Sequence, residues 1–284
     1  MEVQTFFDKA TSTLTYVVYD PKTKDSILID PVLDYLPGAS KVSTESVEKA
    51  ANFINENHLK LHLIMETHAH ADHLSGAPEL KKKYPNAKTA IGEKITMVQK
   101  TFAKAFNLKN FKSDGSQFDL LLNDGQTIDA GSIKIKVIAT PGHTPSCSSY
   151  LIEDMLFTGD SIFMPDFGTG RCDFPAGDAG VMYDSIMNKL YKLPDSTKVY
   201  IGHDYQPGGR ELKFQTTIGE EKEKNIHLKI DTTKEAYVEF RTNRDKTLQA
   251  PNLLLQSIQI NINGGHLPPK EDNGVSYLKI PINR

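Results

Sequence analysis

The sequence predicts an α/β protein. Apolar runs of strand length alternate with stretches whose apolar residues recur at helical spacing. Four of the apolar runs end in loops that carry His or Asp. Residues 61–66 lead into His68-Ala69-His70-Ala71-Asp72-His73, residues 133–139 into Pro141-Gly142-His143, residues 155–158 into Gly159-Asp160, and residues 199–201 into Gly202-His203-Asp204-Tyr205. Loops at the ends of packed strands are where a rigid scaffold holds a site. With 284 residues, 38% hydrophobic and 24% charged, the chain has enough apolar side chain for a sizeable core. A single domain is expected over 1–284, with 206–284 a C-terminal extension packed on it.

In order, residues 3–7, 14–19 and 26–30 read as strands, with a turn at Asp20-Pro21 between the last two. Residues 43–57 read as a helix, with Thr44 as N-cap and Val47, Ala50, Ala51 and Ile54 on one face. The strand 61–66 delivers the histidine cluster, and Pro78 sits in the first turn of the following helix. A short strand at 87–91 precedes a helical stripe, Ile95, Val98, Phe102, Ala105 and Phe106, which reads as a packing face. Turn signals at Asp124-Gly125 and Ala130-Gly131 bracket a short strand, and strands follow at 133–139, 148–152 and 155–158. Residues 181–193 read as a helix and 199–201 as a strand. Beyond Glu211 the charged run Glu220-Glu221-Lys222-Glu223-Lys224 reads as a solvated segment, 234–248 as a helix and 276–280 as a last strand.

Several function classes are set aside. The net charge of −3 comes with no long basic block, which argues against nucleic acid as a partner. No apolar run approaches the roughly 18 residues of a membrane span, and the first residues lack the pattern of a secretory signal. The two cysteines, Cys147 and Cys172, form no short-spaced zinc pair and no disulfide framework; each reads as a small buried apolar residue, and a cytoplasmic location is expected.

The chemistry lies in the strand-end loops. His68 and His70 are two apart, so on extended backbone they face one side and can share an ion. Asp72-His73 adds an oxygen and a nitrogen, and His143, Asp160 and His203 occupy equivalent loops. Five histidines and two aspartates without a thiolate suit Zn, Fe or Mn. His58, His62, His227 and His266 read as structural. Spacing alone does not choose between one metal and two.

Thr67-His68-Ala69-His70-Ala71-Asp72-His73, Pro141-Gly142-His143-Thr144, Thr158-Gly159-Asp160 and Gly202-His203-Asp204 resemble the metallo-β-lactamase superfamily. The resemblance implies a four-layer αβ/βα sandwich with a metal site along one edge of the two sheets. Fold does not select reaction here. A glyoxalase II-like thioester hydrolase acting on S-lactoylglutathione would hold two metals, such as Zn, bridged by Asp160. Closer is the similarity to the persulfide dioxygenases, the ethylmalonic-encephalopathy-type protein and its longer bacterial relatives. It rests on Gly168-Thr169-Gly170-Arg171-Cys172-Asp173-Phe174, on His203-Asp204-Tyr205, and on the stretches 98–119 and 251–281.

That resemblance implies one Fe(II) per chain held by His68, His143 and Asp160, a two-His, one-carboxylate triad with positions left open. His70, Asp72, His73 and His203 would then stand behind or beside the triad. The implied reaction takes glutathione persulfide, O₂ and water to sulfite and glutathione, as in sulfide oxidation. Tyr205 is expected to bond a ligand of the iron, and Arg171 to fix Asp160 or the substrate loop, with a purely structural bond to Asp173 as the alternative. Arg241 and Arg244, three apart on a helix, would bind glutathione carboxylates. The family commonly pairs subunits, so a homodimer or higher homo-oligomer is expected. A non-catalytic metal- and persulfide-binding protein is the third reading.

Overall fold

The computed structural model describes residues 1–282. The last two residues of the expected single domain lie outside the described residues. The first half runs β1 (Glu2–Asp8), β2 (Thr13–Tyr19), β3 (Asp25–Ile29), β4 (Val32–Leu36), β5 (Lys41–Ser43), α1 (Glu45–Glu56), β6 (Lys60–Met65), β7 (Leu74–Ser75), α2 (Ala77–Lys83), β8 (Lys88–Gly92), α3 (Ile95–Ala105) and β9 (Leu120–Leu122). The second runs β10 (Thr127–Ala130), β11 (Ile133–Ala139), β12 (Ser148–Ile152), β13 (Met155–Phe157), α4 (Ala179–Asn188), β14 (Lys198–Tyr200), β15 (Gln215–Thr217), α5 (Ile218–Lys224), α6 (Lys234–Asp245) and α7 (Leu254–Asn261).

Two six-stranded sheets face each other, ordered β1-β2-β3-β6-β8-β9 and β10-β11-β12-β13-β14-β15, and β5-β4-β7 form a small third sheet. Strand β2 shows how the layers arise. Successive side chains point to opposite faces. Leu14, Tyr16 and Val18 therefore meet Ile133, Ile135 and Val137 between the sheets. Val17, with Leu28 and Ile64, meets Val47, Ala50 and Ile54 of α1 on the other side. Burial on both faces is why apolar residues of β2 point both ways. On the second sheet α4 adds Met182 and Ile186 to the core and packs against α6. The result is the αβ/βα sandwich.

Four expectations change. Thr44 stands at the N-cap of α1 but its side chain caps nothing. The Asp34 carboxylate on β4 takes that role, accepting from Ser46 N (2.8 Å) and Ser46 Oγ (2.7 Å). The charged run at 220–224 belongs to helix α5, capped by Thr217 Oγ1, and its Glu221 is fully buried. Residues 276–280 are not a strand. The backbone of Lys279 is held instead by the side-chain amide of Gln259, through Lys279 N to Oε1 (3.0 Å) and Nε2 to Lys279 O (3.1 Å). Helix α7 was not anticipated, although Leu254, Leu255, Ile258 and Ile262 carry helical spacing and pack on α3.

At one edge the two sheets are stitched backbone to backbone. Leu14 N donates to Gly202 O (2.9 Å) and Ser148 N to Thr67 O (2.9 Å). The loops after β6, β11, β13 and β14 meet at this edge. Among the described residues no helix is long and apolar enough to cross a membrane.

Candidate metal centre

The ligand-bearing loops approach so closely that glycine is required between them. A Cβ on Gly170 would lie 2.0 Å from the carbonyl oxygen of Asp160. Gly168 has φ +96°, and a Cβ there would fall 2.1 Å from His227 Nδ1. The Gly-Thr-Gly-Arg segment is thus the spacer that lets the 168–174 loop sit directly on the carboxylate-bearing turn.

All seven residues singled out by the motifs converge. His68, His143 and Asp160 each offer an atom within 4.8 Å of the others, and so do His70, Asp72 and His203. Asp160 faces both groups. Its Oδ2 lies 3.6 Å from His143 Nε2 and 3.9 Å from His68 Nε2, while its Oδ1 lies 3.3 Å from His203 Nε2. His203 Nε2 is also 3.5 Å from Asp72 Oδ2.

Hydrogen bonds behind the rings set which nitrogen faces the cluster. Thr67 Oγ1 donates to Asp30 Oδ2 (2.8 Å), so its lone pair accepts from His68 Nδ1 (3.0 Å). His143 Nδ1 donates to the Arg171 carbonyl (2.7 Å). Both rings then turn an unprotonated Nε2 inward. Burial, with His70 and His143 nearby, holds the His68 pKa well below its usual value. His70 Nε2 lies between Asp30 Oδ1 (3.0 Å) and Glu66 Oε2 (3.3 Å), which leaves Nδ1 facing outward from that pair. His73 Nδ1 contacts Asp72 Oδ2 (3.1 Å) and Thr13 Oγ1 (3.3 Å). Burial works against ionisation of Asp72, yet His203 and His73 hold its pKa well below the carboxylate range.

Five buried atoms of this cluster have no hydrogen-bond partner among the described residues: His68 Nε2, His70 Nδ1, His73 Nε2, His203 Nε2 and Asp160 Oδ1. A buried polar atom without a partner is costly, and this many converging in one place suit a bound electrophile. The donor set fits a divalent metal.

The cluster opens into a cleft of about 550 Å³, within the usual range for a small-molecule site. Asp72, His143 and Asp160 are among its lining residues. One wall is aromatic: Tyr205 lies over His203 (centroids 5.6 Å) and beside Phe167 (4.7 Å) and Phe163 (6.0 Å). Arg171 also lines the cleft but does not touch Asp160. Its guanidinium is bound to Asp173 through two 2.6 Å bonds and to the Gln249 carbonyl (2.7 Å), the structural alternative. Arg241 and Arg244 both line the cleft, as their shared face predicts. They differ in charge balance. Arg241 is buried and paired with Asp245, whereas Arg244 is exposed and makes no ion pair among the described residues.

Two further residues bear on the site. His227, read as structural, accepts from Thr169 N (3.0 Å) and also lines the cleft. Burial, with Arg241 and Arg244 close by, pushes its pKa down to about 4, so it is neutral at pH 7. Asn261, at the end of the unanticipated α7, grips the histidine loop. Its Nδ2 donates to His70 O and His73 O (both 2.8 Å) and its Oδ1 accepts from Ser75 N (2.9 Å). The apolar spacing of α7 was the available signal for the helix, but nothing marked the asparagine. Cys147 and Cys172 are free and buried, and burial pushes both thiols up, Cys147 to about 12.

Comparison with known proteins agrees with this geometry. "Glyoxylase B2" of Dictyostelium discoideum is 50% identical over 99% of this chain and 97% of its own length. "Persulfide dioxygenase ETHE1, mitochondrial" of Homo sapiens is 32% identical over 70% of this chain and 66% of its own. The crystal structure of ETHE1 from Myxococcus xanthus superposes with a TM-score of 0.76 at 31% identity, covering 94% of this chain and 100% of that one. The family model described as the metallo-beta-lactamase superfamily matches residues 9–203, the span that holds all seven ligand candidates. With the sandwich, the strand-end loops and that match in agreement, the chain belongs to the metallo-beta-lactamase superfamily.

Proposed function

We propose that this protein is a persulfide dioxygenase that holds one Fe(II) per chain and converts glutathione persulfide, O₂ and water to sulfite and glutathione. The observation that carries the reading is the compact His68–His143–Asp160 set at the cleft, in a chain similar along most of its length to an ETHE1 structure. Iron bound there would supply a redox-active centre with room for both sulfur and O₂, which zinc does not.

The chain's own residues do the rest. Thr67 and the Arg171 carbonyl hold the two imidazoles in the tautomer that offers Nε2. Phe163, Phe167 and Tyr205 form the aromatic wall against which the persulfide would lie. Arg244 offers an unpaired guanidinium to a carboxylate, and glutathione carries two. His227 stands beside it as a neutral ring.

A second reading has a specific observation behind it. His70 Nδ1, His73 Nε2 and His203 Nε2 are as unpartnered as the triad atoms, so the frame for two metals is intact. That frame suits a thioester hydrolase with two Zn per chain, and the Dictyostelium relative's name points the same way. Metal analysis and oxygen-electrode assays separate the two. One iron per chain with O₂ uptake dependent on glutathione persulfide is the expected result. Two metals per chain with hydrolysis of S-lactoylglutathione and no O₂ uptake would overturn it. Metal bound with neither activity would leave the non-catalytic reading.

A further inference from the structure

Outside the metal cluster the molecule holds a fully buried ion pair with no part in the proposed reaction. Arg241 and Asp245, one turn apart on α6, have side chains 2% and 5% exposed, with Nη2 and Oδ1 2.5 Å apart. Burying two charges gains little over a well-packed apolar pair, so packing alone does not account for them. What an apolar pair lacks is the second bond each residue makes. Arg241 Nη1 donates to the Thr169 carbonyl (3.1 Å), and Asp245 Oδ2 accepts from Cys172 N (2.8 Å).

Those two grips bracket Gly170 and Arg171. The carbonyl of Arg171 is the acceptor for His143 Nδ1 (2.7 Å), and Gly170 is pressed on the Asp160 carbonyl. A third grip comes from His227 Nδ1, which accepts from Thr169 N (3.0 Å). We propose that the Arg241–Asp245 pair is a positioning device for His143. It holds residues 169–172 so that the Arg171 carbonyl sets the ring angle and the Nδ1–H tautomer of that ligand. On this view Arg241 serves the metal through the loop, and Arg244, on the same helix face, is left to the substrate. The inference rests on His143 being a metal ligand but not on which reaction follows.

The test uses Co(II) alone as probe, added to metal-free full-length protein. Its visible spectrum reports ligand geometry, and chelator competition gives its affinity. The double variant Arg241→Met/Asp245→Leu replaces the pair with apolar side chains and removes both grips. It is expected to unfold cooperatively in urea, to bind Co(II) about tenfold more weakly or worse, and to show a shifted visible spectrum. Glu239→Gln, an exposed site on the same helix, is expected to leave both unchanged. A folded double variant with the wild-type affinity and spectrum would reduce the pair to a fastener and overturn the proposal.

Should the double variant not fold, the wild-type zinc form decides. Ring ¹H–¹⁵N correlations are expected to show His143 as the Nδ1–H tautomer with a slowly exchanging proton. An Nε2–H tautomer, or a freely exchanging Nδ1 proton, would overturn the proposal. Wild-type protein that takes up no Co(II), or whose affinity is unmoved by His143→Ala, would refute the metal reading beneath it instead.

Discussion

Asn261→Ala is expected to destabilise the metal-free protein by about 2–4 kcal/mol, from the loss of three hydrogen bonds in a buried setting at roughly 1 kcal/mol each. The wild-type amide bonds the carbonyls of His70 and His73 and the N–H of Ser75, and the residue is 4% exposed. The substitution therefore leaves two carbonyls and one N–H short of partners. Alanine recovers a few tenths of a kcal/mol as the better helix former, which keeps the total near the middle of that range. Asn261→Asp separates the contributions. It retains the acceptor for Ser75 N, loses both donors, and turns a carboxylate oxygen toward two carbonyls, so it is expected to be less stable than Ala. Urea midpoints at constant slope measure both variants. Because the freed carbonyls belong to the histidine loop, Co(II) affinity is expected to fall with stability. A loss below about 1 kcal/mol for Ala, or an Asp variant as stable as wild type, would refute the account of Asn261 as the clasp of this loop.

His143→Ala is expected to lose both bound iron and activity; full iron occupancy in that variant would show the ligand assignment to be wrong. Arg244→Ala is expected to raise KM for glutathione persulfide by roughly ten- to a hundredfold with little change in kcat, the cost of one charge-assisted bond, and an unchanged KM would remove Arg244 from the binding site. Gly170→Ala is expected to displace the loop from Asp160 and abolish metal uptake even where far-UV dichroism stays native; wild-type uptake would contradict the close packing. The unfolded chain protonates a histidine near pH 6.5 whereas folded His227 waits until about pH 4, so the unfolded state binds the extra proton between these values. Stability from this group is fully present above about pH 6.5 and is lost as pH falls through 4; His227→Gln should flatten urea midpoints across that window, and an unaltered slope would refute the shifted pKa.

The sandwich and the clustering of the candidate ligands are legible because both leave periodic or clustered marks in side-chain identity. Strand β11 was expected at 133–139 and spans Ile133–Ala139, since Ile133, Ile135 and Val137 alternate with exposed Lys134 and Lys136. His68, His143 and Asp160 stood at strand ends, where no packing role explains them. What holds those residues in place is not legible. Arg171 acts on His143 through its carbonyl, Asn261 acts on the histidine loop through the carbonyls of His70 and His73, and Arg241 reaches the loop through the carbonyl of Thr169. A carbonyl is the same in every residue, so no residue type records the contact. The trace that survives lies on the other partner. An arginine and an aspartate four apart on a helix carry no mark of burial in the sequence, and an asparagine at position 261 carries no mark of the loop it bonds. A steric contact does leave a sequence mark: Gly170 is required where its backbone meets the Asp160 carbonyl and Gly168 where it meets the His227 ring, and both belong to the segment that resembles the dioxygenases. The bonds that reach these two loops thus come in large part from the C-terminal helices, α6 through Arg241 and Asp245 and α7 through Asn261.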